Sequence, residues 1–245
     1  MTHILLTRPL EASLQLAARL AELDKHSIVM PLYTFSPRQP GLDMQKALSV
    51  SNGRKLALFT STRAVEFGLK HIQSDLLEEL EFAAIGDATR KQLEAAGQQV
   101  NLRAASGYTS EDLLAMAKLA ENPGEAVIFC APGGRKALAE GLAELGWHVT
   151  NALVYERLEL QPSQEQIDEI LAANRLLSVW TSVSALEVAK KYLPSQAWEK
   201  ILHAPMLVIS ARIKHHLQQL GASGVELTDG PGNTGLLQSI RQMAI

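Results

Sequence analysis

The chain has 245 residues, and 23 Lys and Arg against 26 Asp and Glu give a formal net charge of −3. Its hydrophobic fraction of 47% and charged fraction of 20% are typical of water-soluble globular proteins. No apolar run approaches the ~18 residues of a membrane span, and the slightly acidic charge argues against nucleic acid as a partner. The length allows one large domain or two smaller ones.

The start of the chain, "MTHILLTRPLEAS", leads directly into a strand pattern, without the features of a signal peptide. The single cysteine, Cys130, excludes an internal disulfide and lies in the apolar run "AVIFC". We therefore expect a cytoplasmic protein in which this cysteine packs in the core.

Strand-like runs alternate with amphipathic helical stretches along the whole chain. The runs are "HILLT", "IVMPLY", "LALFT", "FAAIG", "QVNL", "AVIFC", "VTNALVY", "LLSVW", "MLVIS" and "VELT". Between them, residues 11–23 and 87–97 place apolar side chains three and four positions apart. This alternation predicts an α/β protein with parallel sheets covered by helices on both faces.

The ten runs fall into two sets of five, because three separate stretches repeat at nearly constant spacing. Residues 19–33 match 141–155, sharing "LAEL" and ending on Tyr33 and Tyr155. "LFTSTRAVEFGL" (58–69) matches "VWTSVSALEVAK" (179–190), and 83–97 matches 207–221. The pattern indicates an internal duplication and predicts two flavodoxin-like, doubly wound domains of five strands each.

Two chain courses are compatible with this repeat. Either the halves are contiguous and divide near 122–124, or the chain crosses between domains at "PLYTFSP" (31–37) and "LVYERLEL" (153–160). In the second course the crossing strands would form a hinge that includes both tyrosines. Periodicity does not choose between the two courses.

The repeated Thr-Ser pairs lie where a strand gives way to a helix. Such corners bring free N–H groups of a first helical turn to the ligand-binding edge of a parallel sheet, and these groups bind anions. Five other stretches have the same character: 7–13, 85–91, 106–114, 131–138 and 229–237. Each could be an ordinary N-cap, but their number predicts an anion-binding cleft between the domains.

Motifs for other chemistry are missing from the sequence. Neither a phosphate-binding loop nor a G-x-G-x-x-G pattern is present. His215 and His216 are adjacent and so point in different directions on a helix, unlike a metal-binding pair. No Ser-His-Asp or Cys-His arrangement is legible. We therefore expect no metal site at these histidines, and no motif in the sequence supports nucleotide binding.

The motifs and their order resemble the uroporphyrinogen-III synthase family, especially its gammaproteobacterial branch, over nearly the whole chain. The matching segments are "ILLTRP", "FAAIGDAT" (82–89), "TSEDLL" (109–114), "GGRKAL" (133–138), "VYER" (154–157), "VWTS" (179–182) and "LVISARIKHHLQQLG" (207–221). The resemblance implies the crossed-over course, with a two-stranded β-ladder as hinge. Domain 1 would comprise 1–35 and 158–245, and domain 2 would comprise 36–157.

The resemblance also implies an activity in haem biosynthesis. The family cyclises hydroxymethylbilane, a linear tetrapyrrole with eight carboxylates, to uroporphyrinogen III. Water is lost and ring D is inverted through a proposed spiro intermediate, without a cofactor. We expect a monomer, because a cleft between domains needs no second chain, with at most transient contact with the preceding pathway enzyme.

By the same resemblance, Tyr155 is the candidate general acid for the departing hydroxyl, since a tyrosine hydroxyl is protonated at neutral pH. A purely structural role at the hinge is the alternative, because Tyr33 is its repeat mate. The candidate substrate-binding residues, acting mostly through main-chain amides, are Arg8, Thr60, Ser61, Gly86, Thr89, Ser110, Gly133, Gly134, Arg135, Thr181, Ser182, Ser210 and Arg212.

Two other functions are compatible with two such domains. One is a non-catalytic binding protein that closes around a small anionic ligand by hinge motion. The other is a transferase using a nucleotide-sugar, for which the sequence has no dedicated donor-site carboxylate.

Overall fold

The computed structural model describes residues 2–49, 53–103, 109–134, 136–230 and 232–243. The chain forms two compact units, unit 1 (Met1–Thr34 with Leu158–Ile245) and unit 2 (Phe35–Arg157). Among the described residues, no helix combines the length and apolar character needed to cross a bilayer.

The described strands and helices alternate as the sequence pattern predicts. The strands are β1 (Thr2–Leu6), β2 (His26–Val29), β3 (Tyr33–Pro37), β4 (Lys55–Phe59), β5 (Glu81–Ala84), β6 (Val100–Arg103), β7 (Glu125–Cys130), β8 (His148–Leu153), β9 (Tyr155–Glu159), β10 (Arg175–Trp180), β11 (Met206–Val208) and β12 (Val225–Leu227). The α-helices are α1 (Leu10–Ala21), α2 (Leu42–Leu48), α3 (Thr62–Gly68), α4 (Asp87–Ala95), α5 (Ser110–Leu114), α6 (Ala117–Ala120), α7 (Lys136–Glu144), α8 (Gln164–Ala172), α9 (Val183–Tyr192), α10 (Ser195–His203), α11 (Ala211–Gln219) and α12 (Gly232–Gln242). Two short 3₁₀ turns span Leu69–His71 and Leu77–Glu79.

Unit 1 is built on a parallel sheet with strand order β12-β11-β10-β1-β2. Side chains of β1 alternate between two cores, as the period of a strand requires. Leu5 packs in the core that includes residues of α8 to α11, whereas Ile4 and Leu6 pack in the core that includes residues of α1 and α12. Burial on both faces explains why this strand reads as one continuous apolar run.

Unit 2 has a second parallel sheet, with strand order β6-β5-β4-β7-β8. Here β4 alternates in the same way. Ala57 and Phe59 pack in the core that includes residues of α2, α3 and α4, and Leu56 and Leu58 pack in the core that includes residues of α5 and α7.

The two sheets have one topology. Read from one edge they are β2-β1-β10-β11-β12 and β8-β7-β4-β5-β6, so repeated segments of the sequence occupy equivalent strands. β1 pairs with β10 from the second half of the chain, and β7 pairs with β4 from the first half. β2 and β8 pair with β1 and β7 and so join the same sheets at their edges. The predicted α/β class with two flavodoxin-like sheets is confirmed, and the course with contiguous halves is excluded.

β3 and β9 form a separate two-stranded sheet. The Arg38 N–H donates to the Val154 carbonyl at 2.9 Å and the Leu160 N–H to the Leu32 carbonyl at 2.9 Å, as in antiparallel pairing. The division between the units falls within both strands. Both strands lie within the segments predicted as crossing points. A hinge motion at them stays a prediction.

Candidate functional site

At the carboxyl edge of the unit 2 sheet, Thr60 and Ser61 form the corner that follows the central strand, β4. The Thr60 hydroxyl donates to the Phe129 carbonyl of β7 at 3.1 Å, and the Thr60 N–H points to the same oxygen at 3.3 Å. Ser61 is the N-cap of α3, and its Oγ accepts the Ala64 N–H at 3.1 Å. The Thr-Ser pair thus fixes both the strand end and the helix start, for which hydroxyl side chains are suited.

Tyr155 lies at the same edge, two residues after β8 ends, and joins this corner directly. Its hydroxyl oxygen is 3.0 Å from Ser61 Oγ, a distance at which either hydroxyl can donate. The ring contacts Phe35 edge-on at 5.8 Å between centroids and stacks near Phe67 at 5.9 Å. Only 9% of the residue is exposed. The phenol is therefore held by one hydrogen bond and two aromatic rings.

Phe35 and Phe67 are functional candidates that the sequence analysis missed. Phe67 lies within the quoted repeat "LFTSTRAVEFGL". Its place in the helical pattern does not distinguish it from an ordinary core residue. Phe35 lies in the predicted crossing segment 31–37. Nothing in the sequence indicates that both rings contact Tyr155.

Three glycines predicted to bind substrate lie at this edge. Gly86 is the N-cap of α4, and a Cβ added there would meet no atom within 4 Å. Gly133 has φ +72°, a left-handed conformation that favours glycine, and also faces open space. The Gly134 N–H donates to the Ala131 carbonyl at 3.1 Å. The space in which a side chain would stand is therefore open at Gly86 and Gly133.

Two of the three remaining predicted residues of unit 2 are buried. Thr89 and Ser110 are 5% and 2% exposed. Their burial favours packing roles and leaves little of either hydroxyl for a ligand. Arg135 lies outside the described residues.

Two arginines near Gly86 were also missed. Arg90 and Arg103 line a small pocket together with Gly86 and Asp87. Arg90 donates to Asp87 at 2.7 Å and to Glu94 at 2.6 Å. These bonds raise the pKa of the Arg90 guanidinium, while hydrogen bonds from Lys91 and Arg90 lower the pKa of Asp87. Arg90 belongs to the stretch 85–91, which the sequence analysis had already identified as a strand-to-helix corner.

The carboxyl edge of unit 1 has a related arrangement at Thr7 and Arg8. The Thr7 hydroxyl donates to the Val179 carbonyl of β10 at 2.8 Å. Arg8 donates to the side-chain oxygen of Asn233 in α12. Burial lowers the pKa of the Arg8 guanidinium, and nearby Tyr33 acts in the opposite direction. Asn233 was not predicted individually, although its segment 229–237 was.

The other predicted residues of unit 1 lie at the starts of α9 and α11. Ser182 caps α9, its Oγ accepting the Ala185 N–H at 3.1 Å, and Thr181 precedes it after β10. Ser210 caps α11 through the Ile213 N–H at 3.4 Å. Arg212 is exposed in the first turn of α11. The structure thus brings the predicted corners of this unit to one sheet edge.

Metal and thiol chemistry have little support in the part of the chain that the structure describes. No group of three or more His, Cys, Asp or Glu residues there could hold a metal ion. Cys130 is buried, and burial raises the pKa of its thiol, which disfavours the reactive thiolate.

Comparison with known proteins gives consistent matches over most of the chain. The family model described as "Uroporphyrinogen-III synthase HemD" matches residues 15–238. The uroporphyrinogen-III synthase of Escherichia coli (strain K12) is 28% identical over 244 residues, covering 97% of this chain and 99% of that protein. The Proteus mirabilis protein of the same name is 28% identical over 167 residues, covering 66% and 84%.

Solved structures share the fold. Uroporphyrinogen-III synthetase from Helicobacter pylori 26695 aligns with TM-score 0.65 and 17% identity, covering 99% of this chain and 100% of that chain. A mutant uroporphyrinogen III synthase from the extremely thermophilic bacterium Thermus thermophilus aligns with TM-score 0.61 and 19% identity, covering 98% of each chain.

Proposed function

This chain belongs to the uroporphyrinogen-III synthase HemD family, and we propose that it is itself a uroporphyrinogen-III synthase. It would cyclise hydroxymethylbilane to uroporphyrinogen III in haem biosynthesis, with loss of water and inversion of ring D. The observation that carries this proposal is the family match over residues 15–238.

Tyr155 is proposed as the general acid. The terminal hydroxyl of the substrate leaves as water more readily when a proton is delivered to its oxygen as the carbon–oxygen bond breaks. A phenol held in one orientation suits this task. The hydrogen bond to Ser61 and the flanking Phe35 and Phe67 rings support the proposal, because they restrict the position of the Tyr155 hydroxyl.

The sheet edges are proposed to bind the carboxylates of the substrate. Hydrogen bonds from backbone N–H groups at helix starts bind carboxylates without a strongly basic surface. The open space beside the backbone at Gly86 and Gly133 supports this in unit 2. Arg8 and Arg212 in unit 1, and Arg103 in unit 2, would add charge-assisted bonds.

Binding of this kind would also control the product. Hydroxymethylbilane closes spontaneously to the wrong isomer, so the main task of the enzyme is to orient ring D so that its substituted carbon attacks. We further propose that the protein acts in the cytoplasm as a monomer, without a cofactor. The single cysteine supports a reducing compartment.

An assay with freshly generated hydroxymethylbilane tests the function. The products are oxidised and the type I and type III isomers are separated by chromatography. We expect an excess of type III that scales with protein concentration and disappears after heat denaturation. Type I alone at the spontaneous rate, from protein shown to be folded, would refute synthase activity and leave a non-catalytic anion-binding protein as the alternative.

A further inference from the structure

The serine in the hydrogen bond between Ser61 and Tyr155 already accepts a second hydrogen bond. A serine hydroxyl has one proton to donate and two lone pairs that accept. The Ala64 N–H occupies one lone pair of Ser61 Oγ at 3.1 Å, as an N-cap bond. The serine proton and one lone pair remain, and Tyr155 Oη lies 3.0 Å away.

Two hydrogen-bond directions are compatible with this geometry, and they differ in consequence. If Tyr155 donates to Ser61, the phenolic proton points at the serine and is unavailable to a substrate. If Ser61 donates to Tyr155, the phenolic proton is free to point at another acceptor. A serine hydroxyl rotates about its C–O bond to suit its partners, so an acceptor arriving at Tyr155 favours the second direction.

We propose that Ser61 is a positioning residue for the proposed reaction, and that it donates its hydroxyl proton to the Tyr155 oxygen while Tyr155 acts on the substrate. This inference rests on the proposed function of Tyr155 as general acid. Ser61 then has two roles: its lone pair caps α3, and its proton orients the tyrosine.

The proton balance of the step is complete within the substrate and these two residues. The Tyr155 O–H bond breaks, its proton moves to the leaving hydroxyl, and the C–O bond breaks with its electron pair departing on water. The resulting phenolate accepts the Ser61 hydrogen bond, a charge-assisted bond stronger than the neutral one it replaces. The phenolate is reprotonated by the proton that the macrocycle releases when ring D regains its aromatic form.

The surroundings of Tyr155 are held by the same helix segment. Ser61 immediately precedes α3, Phe67 lies on α3, and Arg63 of α3 lies over the Phe35 ring at 5.1 Å. Of the two rings that flank the phenol, Phe67 therefore belongs to α3 and Phe35 contacts it. Removing the serine hydroxyl would leave the ring packed but would remove the one described hydrogen bond that directs its hydroxyl.

The test is a double-mutant cycle between Ser61→Ala and Tyr155→Phe, assayed for type III product. We expect Ser61→Ala to lower kcat roughly tenfold, the equivalent of one hydrogen bond, with a smaller change in KM. In the Tyr155→Phe background the same substitution should lower kcat by less than about twofold, because no phenolate then forms.

Two further substitutions separate capping from donation. Aspartate is as good an N-cap as serine but accepts only, so Ser61→Asp should keep the cap yet lose at least as much kcat as Ser61→Ala. This variant also keeps the test valid if Ser61→Ala does not fold. Threonine both accepts and donates, so Ser61→Thr should restore most of kcat.

Ser163→Ala is the matched control, because Ser163 caps α8 through the Gln166 N–H at 3.2 Å and belongs to no candidate site. It should lose a cap without changing kcat. The inference is overturned if Ser61→Ala keeps the wild-type kcat, if its loss is the same with Tyr155 replaced, or if Ser163→Ala loses as much. Each of these outcomes presupposes type III product from the wild-type protein, so a failure of the proposed function itself is seen separately.

Discussion

The Thr60-Ser61 corner of unit 2 and the Thr181-Ser182 corner of unit 1 arise from repeated sequence and have the same N-cap geometry. Ser61 accepts the Ala64 N–H at 3.1 Å, and Ser182 accepts the Ala185 N–H at 3.1 Å. Within the described residues, however, only Ser61 of this pair also bonds a tyrosine. The comparison separates an architectural role common to both corners, capping a helix, from a chemical role present at one.

The helices that follow the corners explain part of this difference. Phe67 of α3 occupies the repeat position of Val188 in α9, and its ring stacks near Tyr155. Next to it, Gly68 occupies the position of Ala189, where an added methyl in unit 2 would approach Phe129 at 2.7 Å. Unit 2 thus combines a larger aromatic side chain, which contacts Tyr155, with a smaller neighbour that leaves room for Phe129.

The largest expected effect comes from replacing the two repeat-mate tyrosines separately. Tyr155→Phe should lower kcat by about 10²-fold or more, because a general acid contributes roughly 10²–10⁴-fold. Tyr33→Phe, the matched variant in unit 1, should lower kcat by less than about threefold. Steady-state kinetics with isomer separation measures both, and equal losses would remove the distinction between the corners.

Exchanging the small residues of the two helices tests the packing side of the comparison. Gly68→Ala should destabilise unit 2 by about 1–3 kcal/mol, because the Phe129 ring it would strike stacks on Phe59 at 4.4 Å and has little room to move. The reverse exchange, Ala189→Gly, should cost about 1–2 kcal/mol, through helix propensity and the loss of a buried methyl group. Urea unfolding of both variants gives the values, and a stabilised Gly68→Ala protein would contradict the packing account.

Removing the cap of unit 1 should have a smaller effect. Ser182→Ala should lower the free energy of unfolding by about 1 kcal/mol, the usual value of an N-cap. Ser61→Ala should cost at least as much stability and should also lose more kcat, since it loses a second hydrogen bond. If Ser182→Ala lowered kcat as strongly as Ser61→Ala, the two corners would be chemically equivalent.

The smallest expected effect concerns the amino-terminal ends of the strands, at the edge of each sheet opposite to the candidate site. In unit 1, His3 pairs in register with His26, with ring centroids 4.8 Å apart. At the equivalent place in unit 2, Glu125 pairs with His148 at 3.9 Å. Burial, and secondly His26, lower the pKa of His3, whose Nδ1 is buried without a hydrogen-bond partner.

Because the folded pKa of His3 lies below its unfolded value, the unfolded chain takes up the proton first as pH falls. The contribution of His3 to stability is therefore fully present above about pH 6.5 and is lost as pH falls through the folded pKa. His3→Gln should make urea midpoints less dependent on pH between about 7.5 and 5. An unchanged slope would show that His3 does not titrate differently in the two states.

The sequence predicted the sheets better than the chain course. Alternating apolar runs and the repeat ending on Tyr33 and Tyr155 are local signals, and they were sufficient for two five-stranded sheets. Which sheet a strand joins depends on pairing over long separations, such as Thr2 with Arg175. Local periodicity has no information on such pairs, so the crossed-over course came only from the family resemblance.

Of the candidate site, the sequence predicted the helix caps but not the contacts between distant segments. Hydroxyl side chains at helix starts follow from capping preference, and Ser61, Ser182 and Ser210 are caps. The burial of Thr89 could also be predicted, because Thr89 lies four residues before Leu93 and so on the same helix face. The hydrogen bond between Ser61 and Tyr155 could not be predicted, because it joins residues 94 positions apart. Ser61 follows β4 and Tyr155 follows β8, and β7 lies between these two strands in the sheet.

The most direct test of the account is the ratio of type III to type I product formed from one batch of hydroxymethylbilane by wild-type protein and by Tyr155→Phe at equal concentration. We expect a type III excess with the wild type and a shift toward type I with the variant, because spontaneous closure is then faster than the slowed enzyme. A ratio unchanged by the substitution would contradict the role of Tyr155, and type I alone from the wild type would contradict the synthase function.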